Sequence, residues 1–296
     1  MLSQIEGARE LVRAVQAGKP YASGKLGTSE LDTLLWYLFY RVNKSDSDKK
    51  PYPRHIFQHM IVNAGLFPAH PATLDEWSEH MCRVVLQEID LMVEWNPYYG
   101  QQEHQLLQQF SPQSKRTVIQ ALESYYEEDP ADRYTLYIPD GATVAVIGPF
   151  ADSVQDQIKH LNAIWTSRTI WNRPTIVPIK TYFSPLVASE TTSWPSGITD
   201  WRSACDMIVE KVRASGAKYV FVGCGAISLP IVAALKSKLG CFAIHTGGAT
   251  QIFFGVKGKR WDSNPNISCF YNSHWIRPAD HEIPTRAVTI EQGCYF

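Results

Sequence analysis

Long apolar stretches are missing from this chain. Nowhere do about 18 apolar residues run together, so no membrane span is expected. An excess of either charge is missing too. Lys and Arg number 28 against 29 Asp and Glu, a net charge of −1, which argues against a nucleic-acid protein that relies on a bulk positive field. The six cysteines, Cys82, Cys205, Cys224, Cys241, Cys269 and Cys294, form no CxxC pair and no zinc spacing. Cys224 and Cys241 lie inside apolar runs, where cysteine behaves as a small core residue, so a reducing, cytoplasmic setting is expected. The opening MLSQIEGARELVRAVQAG intersperses acids and bases and lacks the apolar core and small-residue cleavage site of a secretion signal. Repeats and low-complexity tracts are absent. What is present is a heavy aromatic load, 12% of 296 residues. A chain of this length buries roughly 75% of its unfolded surface without a disulfide or metal staple.

The first half reads mainly as helix. Ile5, Ala8, Leu11, Val12 and Val15 make one helical stripe, and Leu31, Leu34, Leu35, Leu38 and Phe39 another from Ser29 onward. Between them a short extended piece, Tyr21 to Leu26, runs into Gly27. A long helix is expected over Thr73 to Glu94, ending at Asn96-Pro97, and NKSDSDKKPYPRH is an exposed loop. The second half changes character. Thr143–Ile147, Pro174–Ile179, Tyr219–Val222 and Cys241–Ile244 are short apolar, strand-like runs separated by helical stretches. Such alternation predicts an α/β fold, a Rossmann-like, mostly parallel sheet with helices on both faces. The expected organisation is one domain over 1–296, with a mainly helical part (1–140) packed on the sheet-bearing part (141–296).

Ligands of such sheets bind beyond the carboxyl ends of the strands, and four segments fall there. They are Gly148-Pro149-Phe150, Gly223-Cys224-Gly225-Ala226, His245-Thr-Gly247-Gly248 running on to Lys257, Lys259, Arg260 and Trp261, and Gly27-Thr28-Ser29-Glu30. The glycine turn at 223–226 either lets backbone amides approach a phosphate or simply supplies the torsions of a tight turn. The cationic run either grips a diphosphate or is a solvated loop. Thr28 or Ser29 either serves a ligand or caps the next helix, with Asp32 completing a capping box.

Together the G-x-x-E turn, GPFADS, GCGA and HTGGATQIFFGVKGKRW, closed by Trp275, Arg277-Pro278 and Glu291-Gln-Gly-Cys-Tyr-Phe296, resemble the GT-D-fold glycosyltransferases of surface-polysaccharide biosynthesis and their relatives in large viruses. The likeness covers Tyr21 to Phe296 and is densest over 243–262. It implies a Rossmann-like nucleotide-sugar domain with an Asp-x-Glu motif serving a divalent cation and the donor diphosphate. That motif falls on Thr28-Ser29-Glu30, where threonine replaces the aspartate. His245 likewise stands where the family carries an acid.

The resemblance therefore implies transfer of a sugar from a nucleotide-sugar donor, a UDP-sugar by preference, to a glycan hydroxyl. Glu30 and His245 are the candidate bases, and Glu30 is the candidate ligand of Mg²⁺ or Mn²⁺, weakly held because Thr28 supplies no carboxylate. Donor contacts are expected from Gly27, Thr28, Ser29, Gly148, Pro149, Phe150, Lys180, Thr181, Tyr182, Gly223, Gly225, Ala226, Gly247, Gly248, Lys257, Lys259, Arg260 and Trp261. Trp36, Tyr37, Trp95, Tyr98 and Tyr99 are candidate faces for the acceptor glycan, core packing being the alternative for Trp36. Two rivals remain. One is an S-adenosylmethionine-dependent methyltransferase built on Val220-Phe-Val-Gly-Cys-Gly225. The other is a nucleotide-sugar- or carbohydrate-binding module without catalysis.

Overall fold

A computed structural model describes residues 1–296. Its centre is one seven-stranded sheet made of β1 (Tyr21–Lys25), β2 (Leu91–Val93), β3 (Lys115–Thr117), β4 (Thr143–Gly148), β5 (Thr175–Lys180), β6 (Tyr219–Val222) and β7 (Phe242–His245). The order is β3-β2-β1-β7-β6-β4-β5, and every pairing is parallel.

Strand side chains alternate between two hydrophobic cores, one on each face. Ala145, Ile147, Val220 and Val222 point into the core that also holds Leu31, Trp77 and Ile208. Val144, Val146 and Phe221 point into the other, with Leu11, Trp165, Trp171 and Phe253. This two-sided burial is why these strands read as continuous apolar runs.

Helices cover both cores. On the first lie α2 (Thr28–Tyr40), α3 (Arg54–Gln58), α4 (Pro71–His80), α5 (Gly100–Phe110), α7 (Trp201–Ser215) and α8 (Ser228–Leu239). The second is covered by α1 (Gln4–Ala17) and α6 (Ala151–Gln157). Local signals set several ends. Ser3 and Glu6 form a reciprocal capping box on α1, and Gly18 closes it in the left-handed conformation. Asp200 and Ser203 do the same at the start of α7, which ends at Gly216.

Two expectations are corrected. The helix expected over Thr73 to Glu94 gives out early. After α4 the chain makes a π-helical turn, Met81–Val85, and one short turn to Glu88, then extends into β2. The reason is burial on two sides, since Met92 enters one core and Leu91 and Val93 the other. Accordingly residues 1–140 are not a helical body laid on someone else's sheet. They supply three of its seven strands, β1 lying between β2 and β7.

The chain steps outward from β4 to the edge strand β5, then returns to β6 on the other side of β4. That reversal leaves a crevice above the carboxyl ends of β4 and β6.

Candidate functional site

A cavity of about 730 Å³ occupies this crevice and extends over the carboxyl ends of β1 and β7. A smaller one of about 420 Å³, lined by Thr143, Lys218 and Phe242, opens at the opposite edge of the sheet.

At the end of β1, Lys25 enters the main cavity. Its ammonium lies over the Trp95 ring, 4.8 Å from the centroid, and burial pulls its pKa below the ordinary lysine value, with Glu30 opposing. No carboxylate oxygen lies within 4.0 Å of it. Trp95 is fixed from behind. Its indole N–H donates to the Leu26 carbonyl at 2.7 Å, while the backbone N–H groups of Trp95 and Asn96 donate to the buried Glu103 carboxylate at 2.9 and 2.8 Å. The Asn96 amide reaches Thr28 Oγ1 at 3.3 Å.

Thr28 is the first helical residue of α2, and Gly27, its N-cap, offers no side-chain cap. The capping role considered for Thr28 or Ser29 is therefore not taken. Ser29 instead accepts, through its carbonyl, from the Thr33 hydroxyl at 2.8 Å, and Asp32 is half-buried, facing Tyr99 rather than the helix end. Glu30 folds back toward Gly27, so closely that a Cβ there would sit 2.2 Å from Oε2. Its carboxylate thus lies in the first turn, at the positive end of the helix dipole. Burial raises its pKa, and the hydrogen bond to its own backbone N–H and the nearby Lys25 oppose that rise.

The turns after β6 and β7 are pressed together. A Cβ on Gly223 would lie 2.4 Å from the Gly247 carbonyl, and one on Gly225, where φ is +64°, 2.2 Å from the Ala64 carbonyl. Ala64 follows a π-helical turn, His59–Asn63, and its carbonyl accepts from Ala226 N–H at 2.8 Å. That contact brings His59 and Asn63 to the cavity wall; π-turns recur at functional sites. His245 closes β7 and is only 4% exposed. Its Nδ1 sits 3.0 Å from the Val222 carbonyl, and burial, assisted by Lys25, pushes its pKa down to about 3.

Arg260 enters the cavity from the segment after β7 and pairs with Glu291, which also accepts from the Tyr295 hydroxyl at 3.2 Å. The guanidinium lies over the Tyr295 ring at 4.6 Å.

The cavity gathers Gly27, Thr28, Ser29, Glu30, Gly148, Pro149, Phe150, Thr181, Tyr182, Gly223, Gly225, His245, Gly247, Gly248 and Arg260. An early glutamate and a late arginine do converge. Five expected contacts do not line it. Lys180 pairs with Asp152 at 2.9 Å. Lys257 lies over the Tyr271 ring at 5.1 Å, Lys259 is exposed, and Trp261 is buried beside Tyr295. The Ala226 carbonyl accepts from the Trp77 indole at 2.9 Å. Lys25, His59, Asn63, Glu291 and Tyr295 line the cavity and were not singled out as contacts. Lys25 alone had a sequence signal, a lysine closing a strand at the ligand edge.

A Mg²⁺ or Mn²⁺ ion does not suit these residues. No three His, Cys, Asp or Glu side chains come together as a ligand set. Glu30 is folded onto its own helix start, and Glu291 is held by Arg260, whereas hard cations want several free oxygens. Compared with known proteins, the chain matches no family model, no curated protein and no solved structure.

Proposed function

We propose that the chain is a glycosyltransferase, moving a sugar from a nucleotide-sugar donor, preferentially a UDP-sugar, to a glycan hydroxyl. The observation that carries the reading is the placement of two cationic groups, Lys25 and Arg260, in one cavity with the glycine turns after β6 and β7. Such an array suits a diphosphate, whose developing negative charge on departure is the largest barrier term that fixed charges can lower. Lys25 supplies a point charge and Arg260 a planar fork. In this reading they take the role the resemblance gives to a metal ion. Phe150, Tyr182 and Phe183 give the cavity an apolar wall for a nucleobase. Tyr98, 81% exposed at the same cavity, offers a sugar-stacking face on the acceptor side.

One observation favours the second reading, a binding module without turnover. Glu30 is folded onto its own helix start, and a His245 pushed down to about 3 is a poor proton acceptor near neutrality. A panel of UDP-, GDP- and TDP-sugars separates the two. Transfer or hydrolysis supports the enzyme, binding alone supports the module, and no binding of any donor refutes both.

A further inference from the structure

The cavity already contains an anion of its own. Glu291 sends its carboxylate onto the Arg260 guanidinium, with the Tyr295 hydroxyl as a second donor. The segment carrying it is held in an uncommon backbone shape. Glu291, Gln292 and Gly293 have φ of 44°, 59° and 73°, and left-handed torsions at non-glycine residues cost of order 1–3 kcal/mol each, persisting where the surroundings impose them. The surroundings here are visible. Lys259 and Arg260 N–H donate to the carbonyls of Phe296 and Cys294 at 3.3 and 2.9 Å, and Gln251 Nε2 to that of Tyr295 at 3.2 Å. The chain is thus pinned after residue 293, and before the turn by the buried Ile290, whose carbonyl accepts from Gly293 N–H at 2.8 Å, while Glu291 N–H makes only a 3.3 Å hydrogen bond to Asn63.

We infer that the Glu291 carboxylate occupies the seat of a ligand phosphate, and that a diphosphate binds by displacing it from Arg260. This deepens the transferase reading and rests on its anionic donor. Glutamate and phosphate offer the guanidinium the same pair of acceptor oxygens. Lys25 and Arg260 are equalled in number by Glu30 and Glu291 within the cavity, so an anionic ligand meets a net positive charge there only if a carboxylate withdraws. The exchange needs only the Glu291 side chain to swing off Arg260.

The test is calorimetric titration of the full chain with inorganic pyrophosphate. Glu291→Gln should bind it at least about tenfold more tightly than the natural chain, because the competing charge is gone. Glu291→Gly removes the carboxylate and fits the left-handed torsion, so it should show the same gain in a chain that is no less stable. Adding Arg260→Gln to either should abolish the gain. Unchanged or weaker binding in both glutamate variants overturns the exchange and makes Glu291 a brace for Arg260. Nucleotide-sugar turnover alongside that result leaves the transferase reading intact. The tenfold gain with no turnover of any nucleotide sugar leaves the exchange standing and removes the transferase.

Discussion

Replacing Lys25 by methionine probes the site most directly, because the two effects of that ammonium have opposite signs. In the folded chain Lys25 is half-buried, no carboxylate oxygen lies within 4.0 Å of it, and its pKa falls mainly through desolvation. A lysine so placed binds fewer protons folded than unfolded between its lowered pKa and the ordinary value of 10.5. Stability from this group therefore rises with pH across that window, and at neutral pH the charge is a net cost. Methionine keeps the stem's volume against Gly247 and Trp95 and removes the charge. Ligand binding should respond the other way. A charge-assisted hydrogen bond to a diphosphate is worth about 1.5–3 kcal/mol, within the ceiling of about 4 kcal/mol for unit charges 4 Å apart at an effective dielectric constant of 20. Lys25→Met should then weaken UDP binding by roughly ten- to 150-fold while leaving the melting temperature equal or higher. Calorimetry with UDP and a thermal melt at pH 7 are sufficient. UDP affinity within about twofold of the natural chain would refute the argument, as would a loss of stability matching the loss of affinity.

Glu30→Gln should cut turnover at least about tenfold, roughly 1.4 kcal/mol of barrier. It should not destabilise at pH 7, because a half-buried carboxylate with a raised pKa loses stability as pH climbs above its ordinary range; turnover assays and melts read the two halves separately. Exhaustive chelation should leave turnover unchanged, since Glu291 is held by Arg260 and no three ligating side chains gather at the cavity, and a loss restored by Mn²⁺ would contradict this. The pH–rate profile should keep all its limbs in His245→Gln, because a histidine held near 3 stays neutral throughout. Natural-chain stability should fall by about 1.4 kcal/mol per pH unit on this group's account as pH drops below 6.5, the unfolded chain taking the proton the buried ring refuses. Glu123 is buried beside Tyr125, and burial raises its pKa to about 7, so its contribution to stability should decline between pH 4.5 and 7 and that slope should vanish in Glu123→Gln, measured by denaturant titration.

Strands buried on both faces announce themselves in the sequence, and β4, β5, β6 and β7 were readable for that reason. β2 was not. Leu91-Met92-Val93 follows an apolar stretch with helical spacing, and only the partition of its side chains between two cores marks it as a strand. β3 is three residues of mostly polar character, Lys115-Arg116-Thr117, at the sheet edge. The ligand edge followed from the alternation of strands and helices in the second half, so the glycine turns and Glu30 could be placed there. Which cation of Lys257, Lys259 and Arg260 faces the cavity could not be read, because that depends on the short helical turn at 259–262 and on Tyr271 drawing Lys257 aside. Glu291 escaped for a related reason. Its partner lies 31 residues away and is met only through a left-handed turn that no residue preference signals.

Comparison of the half-buried lysines supports the proposed anionic ligand more strongly than any motif does. Lys236 is held by the Glu88 carbonyl at 2.6 Å and by Asp90 at 3.0 Å, and Lys180 by Asp152 at 2.9 Å. Each brings its own countercharge, the usual condition for taking an ammonium from water. Lys25 has only the face of Trp95, worth about 0.5–2 kcal/mol, and the more distant influence of Glu30 and Glu123. Yet the Leu26 carbonyl holds the indole N–H, and Glu103 fixes the backbone of Trp95 and Asn96 behind it. A scaffold that orders so many groups to hold one poorly neutralised charge, beside an arginine whose countercharge sits on a left-handed turn, fits the proposed ligand, one that arrives from solution carrying several negative charges.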